Sequence, residues 1–218
     1  MDFFQLVMFD FDGLLVDTER GHYEAYRRMC AQRGVQLGWD FPLYCKYAHY
    51  THDGIKEAMY HDYPRLLASE PDWKVLHREK SRELISLFHE GAIQLMPGVT
   101  KLLTELEEQK IQSCVVTHSA ENLVMTLRKQ HPILDTITHW ITREDYSRPK
   151  PDPECYQVAM QRFLPNGGKA VGFEDTIRGL QALLGSGALA YLVTTMDYPE
   201  IPEMVKRGAK HIRSLEDI

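Results

Sequence analysis

From residue 96 to 213, short apolar runs recur with helix-patterned stretches of roughly 10 to 15 residues between them, a spacing that commits this part of the chain to βαβ units. The predicted strands are Ser113 to Thr117, Ile137 to Ile141, Ala170 to Phe173, Leu189 to Val193 and a short one at Lys210 to Arg213. An earlier apolar run, Leu6 to Phe9, reads as a further buried strand. The stretches between them carry helical stripes, such as Val99, Leu102, Leu103 and Leu106, or Tyr156, Ala159, Met160 and Phe163. Strands separated by helices pair in parallel through right-handed crossovers, so the predicted class is α/β with a mainly parallel sheet.

One segment breaks the alternation. From residue 18 to about 92 the pattern is helical without strand character, beginning with Tyr23, Tyr26 and Cys30 on one face and interrupted by Pro42, Pro64 and Pro71. The expected organisation is a core from 1–14 and 94–218, with 15–93 as a helical domain inserted after the first strand.

The charge balance narrows the partners. With 25 Lys plus Arg against 31 Asp plus Glu the net charge is -6, which disfavours nucleic acid as the main partner and leaves room for a small phosphorylated ligand. No apolar run approaches the ~18 residues of a membrane span, and Asp2 stands where a signal peptide would be basic, so a cytoplasmic protein without membrane contacts is expected. Cys30, Cys45, Cys114 and Cys155 are scattered and read as reduced thiols, with Cys114 as core filler.

In a parallel sheet all strands finish at one edge, where ligands bind. After the first strand come Asp10 and Asp12; after the second, Thr117, His118 and Ser119; beyond the third, Lys150; after the fourth, Glu174 and Asp175. Each has a plain alternative. Asp10 and Asp12 can form an acidic turn, Thr117, Ser119 and Asp175 can cap helices, and Lys150 between two prolines can be a solvated loop lysine. These alternatives leave one cost unexplained, since Asp10, Asp12 and Asp175 at a single edge repel one another unless a cation sits among them. Magnesium, a hard ion that prefers carboxylate oxygens and water, fits best.

Asp10-Phe11-Asp12-Gly13, Thr117, Lys150 within Lys-Pro-Asp-Pro-Glu, and Gly172-Phe173-Glu174-Asp175 together resemble the four motifs of the haloacid dehalogenase superfamily, in order and across the whole core. The inserted helical segment is similar to the α-helical cap of its phosphoglycolate phosphatase and β-phosphoglucomutase branch. The resemblance implies a Rossmann-like three-layer core and a phosphatase of small phosphorylated metabolites. In that scheme Asp10 is the nucleophile and forms an aspartyl phosphate, while Asp12 protonates the leaving oxygen and later deprotonates water. Thr117 and Lys150 bind phosphoryl oxygens, and Asp10, the Asp12 carbonyl and Asp175 hold Mg2+ with Glu174 nearby. An acid at Asp12 also sets aside the dehalogenase and C-P-cleaving members, which lack one there.

The cap segment departs from the pattern. Sugar phosphomutases of this branch typically carry an Arg in the first cap loop, whereas the stretch from Tyr47 to Gly54 offers Thr51, His49 and His52, so a phosphomutase is the second choice. A regulatory phospholigand-binding module ranks third. His22 matches a histidine common in the branch and is a substrate-contact candidate beside a structural reading. His118 replaces a frequent Asn, with its backbone N-H available to phosphate. A loop in solvent is the preferred reading of His49 and His52, since two ligands do not make a metal site. A monomer or weak oligomer is expected.

Overall fold

The computed structural model describes residues 4–50 and 54–218, with the backbone alone for 49 and 50. The chain divides into two compact units, one made of residues 1–17 and 95–218 and the other of residues 18–94.

The larger unit is an α/β core around a six-stranded parallel sheet. Its strands are β1 (Leu6–Phe9), β2 (Gln112–Val116), β3 (His139–Ile141), β4 (Ala170–Glu174), β5 (Leu189–Val193) and β6 (Lys210–Ile212), in the spatial order β3-β2-β1-β4-β5-β6. β1 lies at the centre, with Met8 opposite Cys114 on one side and Gly172 on the other. The order reverses beside β1, so the switch point that creates a crevice in an open α/β sheet falls at the carboxyl ends of β1, β2 and β4. All of β1 and β4 is buried, as strands covered by helices on both faces must be.

The predicted strands appear within one or two residues of their expected ends. The largest difference is β3, which starts at His139 because Pro132–Thr136 forms a 3-10 turn and leaves Ile137 as its buried end. The predicted α6 stripe (Val99–Glu108) buries Val99, Leu102, Leu103 and Leu106. A short helix over Ile201–Lys206, with Pro202 in its first turn, was not expected from periodicity. The chain leaves and re-enters this unit at one place, where Val16 bridges Leu95 and the Met96 N-H donates to the Leu15 carbonyl at 3.0 Å.

The smaller unit has helices and no strand among its described residues, with α1 (Thr18–Gln32), α2 (Phe41–Tyr50), α3 (Gly54–Asp62), α4 (Pro64–Ser69) and α5 (Trp73–His89). α1 and α5 pack on each other through buried Ala25, Met29, Leu76 and Leu87 and are tied at the rim by Arg28 to Glu90 and Arg33 to Glu79. Two of the prolines that interrupt the pattern start helices instead of breaking them: Pro64 opens α4 and Pro42 lies in the first turn of α2. Thr51 and His52, and the side chain of His49, lie outside the described residues.

All four cysteines are buried, and Cys30, Cys114 and Cys155 are free thiols. Among the described residues no helix is long and apolar enough to cross a membrane.

Candidate active site

The core of the larger unit continues β1, β2 and β4 into the residues that carry chemistry. Asp10 follows β1 directly and keeps its pairing with β4, its N-H donating to the Phe173 carbonyl at 3.0 Å. Thr117 does the same after β2, donating to the Ile141 carbonyl at 2.9 Å. Glu174 ends β4, and Asp175 precedes the N-cap of α9 (Ile177–Gly185). That cap is Thr176, whose hydroxyl accepts from the Gly179 N-H at 3.1 Å, so Asp175 is free of the capping role.

A single ammonium holds the centre. Lys150 Nζ lies 2.5 Å from Asp10 Oδ1 and 2.6 Å from Glu174 Oε1, and donates to the Val116 carbonyl at 2.9 Å. Its three donors are thereby used, and the side chain is buried, unlike a solvated loop lysine. Burial opposes its charge, but Asp10 and Glu174 outweigh that and hold Lys150 protonated well above the ordinary lysine range. The Arg178 Nη2 donates to the Lys150 carbonyl at 2.7 Å and ties this loop to the first turn of α9.

The acids outnumber that cation. Asp10, Glu174 and Asp175 each offer an oxygen within 4.8 Å of the others. Burial pushes the Asp10 carboxyl up to about 7, against the pull of Lys150 and with the help of Glu174 and Asp12. Burial, then Asp10 and Glu174, raise Asp175 well above the carboxylate range. An uncompensated buried carboxylate costs several kcal/mol, about what one lysine offsets for one acid, so three acids around one ammonium call for a second positive charge. Oxygen-only donors of this number suit a hard divalent ion. Gly13 leaves the room: with φ of +79°, it has no Cβ, which would sit 2.3 Å from Asp175 Oδ2.

Asp12 is held separately. Its Oδ2 accepts from Ser119 Oγ at 2.6 Å and from Thr117 Oγ1 at 3.2 Å, so neither hydroxyl caps α7 (Glu121–Gln130), whose N-cap Ala120 has no side-chain bond. The Asp12 side chain does not join the three acids that can hold a metal. Environment thus separates two carboxylates one residue apart, one against a lysine and two acids, the other against two hydroxyls.

Three contributors were not legible as such in the sequence. The Tyr156 hydroxyl donates to Glu174 Oε1, although Tyr156 reads as part of the apolar stripe of α8 (Glu154–Phe163); a buried Tyr among Ala and Met signals that its hydroxyl has a partner. Gly179 lies against the other carboxylate oxygen, where a Cβ would approach to 1.8 Å. Arg178 is the third. His118 is exposed beside Thr117, its Nδ1 3.0 Å from the Tyr146 hydroxyl. His22 belongs to the helical unit. There Lys80 Nζ, which can only donate, meets its Nδ1 at 2.6 Å. Burial, then Lys80 and His77, push His22 down to about 3, so it is neutral at pH 7.

The model of the haloacid dehalogenase-like hydrolase family matches residues 7–192, which contain every residue of this edge. The chain belongs to that family. A phosphorylated carbohydrates phosphatase of Thermotoga maritima is 26% identical over 190 residues, 84% of this chain and 82% of that protein. Validoxylamine A 7'-phosphate phosphatase of Streptomyces hygroscopicus subsp. limoneus is 29% identical over 211 residues, 92% of this chain and 91% of that one. In structure, a family hydrolase from Deinococcus radiodurans with bound phosphate and sodium matches with a TM-score of 0.74 at 20% identity, over 98% of this chain and 93% of that one, which shows the shared fold.

Proposed function

We propose that this family member is a Mg2+-dependent phosphatase of small phosphorylated metabolites that works through an aspartyl phosphate. The observation that carries the reading is the arrangement of Asp10: a carboxylate at the centre of the sheet edge, with Lys150 at 2.5 Å and Glu174 and Asp175 close enough to share a cation. Such a carboxylate can approach a phosphate dianion only where positive charge surrounds it.

Asp10 attacks phosphorus, forming an O-P bond as the bond from phosphorus to the ester oxygen breaks. Asp12 in its acid form delivers its proton to that departing oxygen, and the Ser119 and Thr117 hydroxyls keep its carboxyl aimed. The same carboxylate then takes a proton from water, whose oxygen attacks phosphorus and releases Asp10 and inorganic phosphate. Lys150 balances charge on Asp10 and on phosphoryl oxygens. Asp10, Asp175 and the Asp12 carbonyl would hold Mg2+, with Glu174 behind them, and the ion supplies further neutralisation of the phosphoryl charge. Glu174 is committed to Lys150 and Tyr156, which favours a supporting position over direct ligation. The helical unit carries the choice of substrate in this reading. The name of the Thermotoga maritima phosphatase above supports a phosphorylated carbohydrate as its class.

The test offers p-nitrophenyl phosphate and a panel of sugar and polyol phosphates to the purified protein, with and without Mg2+, beside Asp10→Asn. Phosphate release requiring both Mg2+ and Asp10 is expected. Release that persists in Asp10→Asn contradicts the mechanism.

A further inference from the structure

We infer that His118 selects substrate by accepting a hydrogen bond through a neutral Nε2 from a hydroxyl group of the phosphate ester, with Tyr146 fixing the ring's tautomer. The inference rests on the phosphatase reading and adds a demand on the alcohol half of the substrate.

Proton counting fixes the tautomer. The Tyr146 hydroxyl has one proton and donates it to the Thr117 carbonyl at 3.0 Å. Towards His118 Nδ1, also at 3.0 Å, it can then only accept, so Nδ1 carries the ring proton. Nε2 is left as a lone pair on an exposed side chain. Burial of part of the ring, then Arg143, Lys150 and Arg178, hold the imidazole below its ordinary range against the opposing pull of Asp12, and therefore neutral.

An acceptor repels a phosphate oxygen and needs a donor. A hydroxyl is the donor that the alcohol half of a phosphate ester carries. His118 follows Thr117, whose side chain bonds Asp12, the group that protonates the departing oxygen. The hydroxyl read by His118 therefore belongs to the leaving alcohol, close to the ester oxygen, as in polyol and sugar phosphates.

Nitrogen NMR of labelled protein tests the tautomer without turnover, and a protonated Nδ1 with a bare Nε2 is expected. Tyr146→Phe should release that preference. In kinetics, glycerol 1-phosphate is compared with propyl phosphate, which lacks the hydroxyls. His118→Ala should narrow the preference for the glycerol ester by about tenfold, the worth of one hydrogen bond, and His118→Gln, which keeps an acceptor, should restore part of it. The same ratio can be read as Kd by calorimetry on Asp10→Asn. A protonated Nε2, or equal losses on both esters, overturns the inference. Failure of the wild type to hydrolyse any ester overturns the phosphatase reading instead, and leaves the tautomer and the Kd ratio to decide this one.

Discussion

Lys150 Nζ and Asp10 Oδ1 lie 2.5 Å apart across 140 positions of sequence, and the same ammonium reaches Glu174 at 2.6 Å. One lysine thus joins the ends of two central strands and the loop that follows a third. Replacing it with Met leaves buried carboxylates without their cation. Lys150→Met is expected to lower kcat by about 100-fold or more, on the scale of removing a transition-state donor, with initial-rate kinetics as the check. Lys150→Arg should not restore the rate, because a planar fork cannot take the place of three converging donors in a buried site.

Asp12 depends on Ser119, whose hydroxyl donates at 2.6 Å. An acid matters most when the leaving group is poor. Ser119→Ala should slow an alkyl phosphate by roughly tenfold, and p-nitrophenyl phosphate, with its good leaving group, by clearly less. Equal slowing of the two esters would show that Ser119 does not act through Asp12.

Tyr156 supports the cluster from beneath. Its hydroxyl meets a buried charged acceptor, so Tyr156→Phe leaves one Glu174 oxygen short of a donor and should destabilise the protein by about 1.5–3 kcal/mol, read as a lower urea midpoint with unchanged m-value.

Acid should weaken the helical unit through His22. Its folded pKa, about 3, lies below the ordinary histidine value of 6.5, so between those limits the unfolded chain binds a proton that the folded one refuses. Stability therefore falls as pH falls from about 6.5 toward 3, with a slope approaching about 1.4 kcal/mol per pH unit from this group. Chemical denaturation at pH 7 and pH 5 should show a larger loss in the wild type than in His22→Gln, whose amide oxygen can still accept from Lys80. Identical losses would remove His22 as the cause.

The sheet was legible because its strands are short, apolar and evenly spaced, and a buried parallel strand has few other sequences open to it. Leu189–Val193 appears with both ends as expected, and β1 likewise. The helix at Ile201–Lys206 escaped because six residues are too few to show a 3.6-residue period. At the site, strand order alone brought Asp10, Thr117, Lys150, Glu174 and Asp175 to one edge. What remained hidden were pairings set by side-chain length and direction. Ser119 reads as a helix cap and bonds Asp12 instead; Tyr156 reads as core and bonds Glu174; Arg178, which no sequence pattern singles out, bonds the Lys150 carbonyl. Periodicity locates a face, and it carries no information about which polar atom on that face finds a partner.

The central claim is that Asp10 makes a covalent bond to phosphorus. Borohydride reduces an acyl phosphate to an alcohol, so rapid quenching of the enzyme during turnover, reduction, digestion and peptide mass spectrometry should find homoserine in place of Asp10, only when Mg2+ and a phosphate ester are both present. An unmodified Asp10 under conditions that trap an acyl phosphate on another residue, with phosphate release surviving in Asp10→Asn, would contradict it.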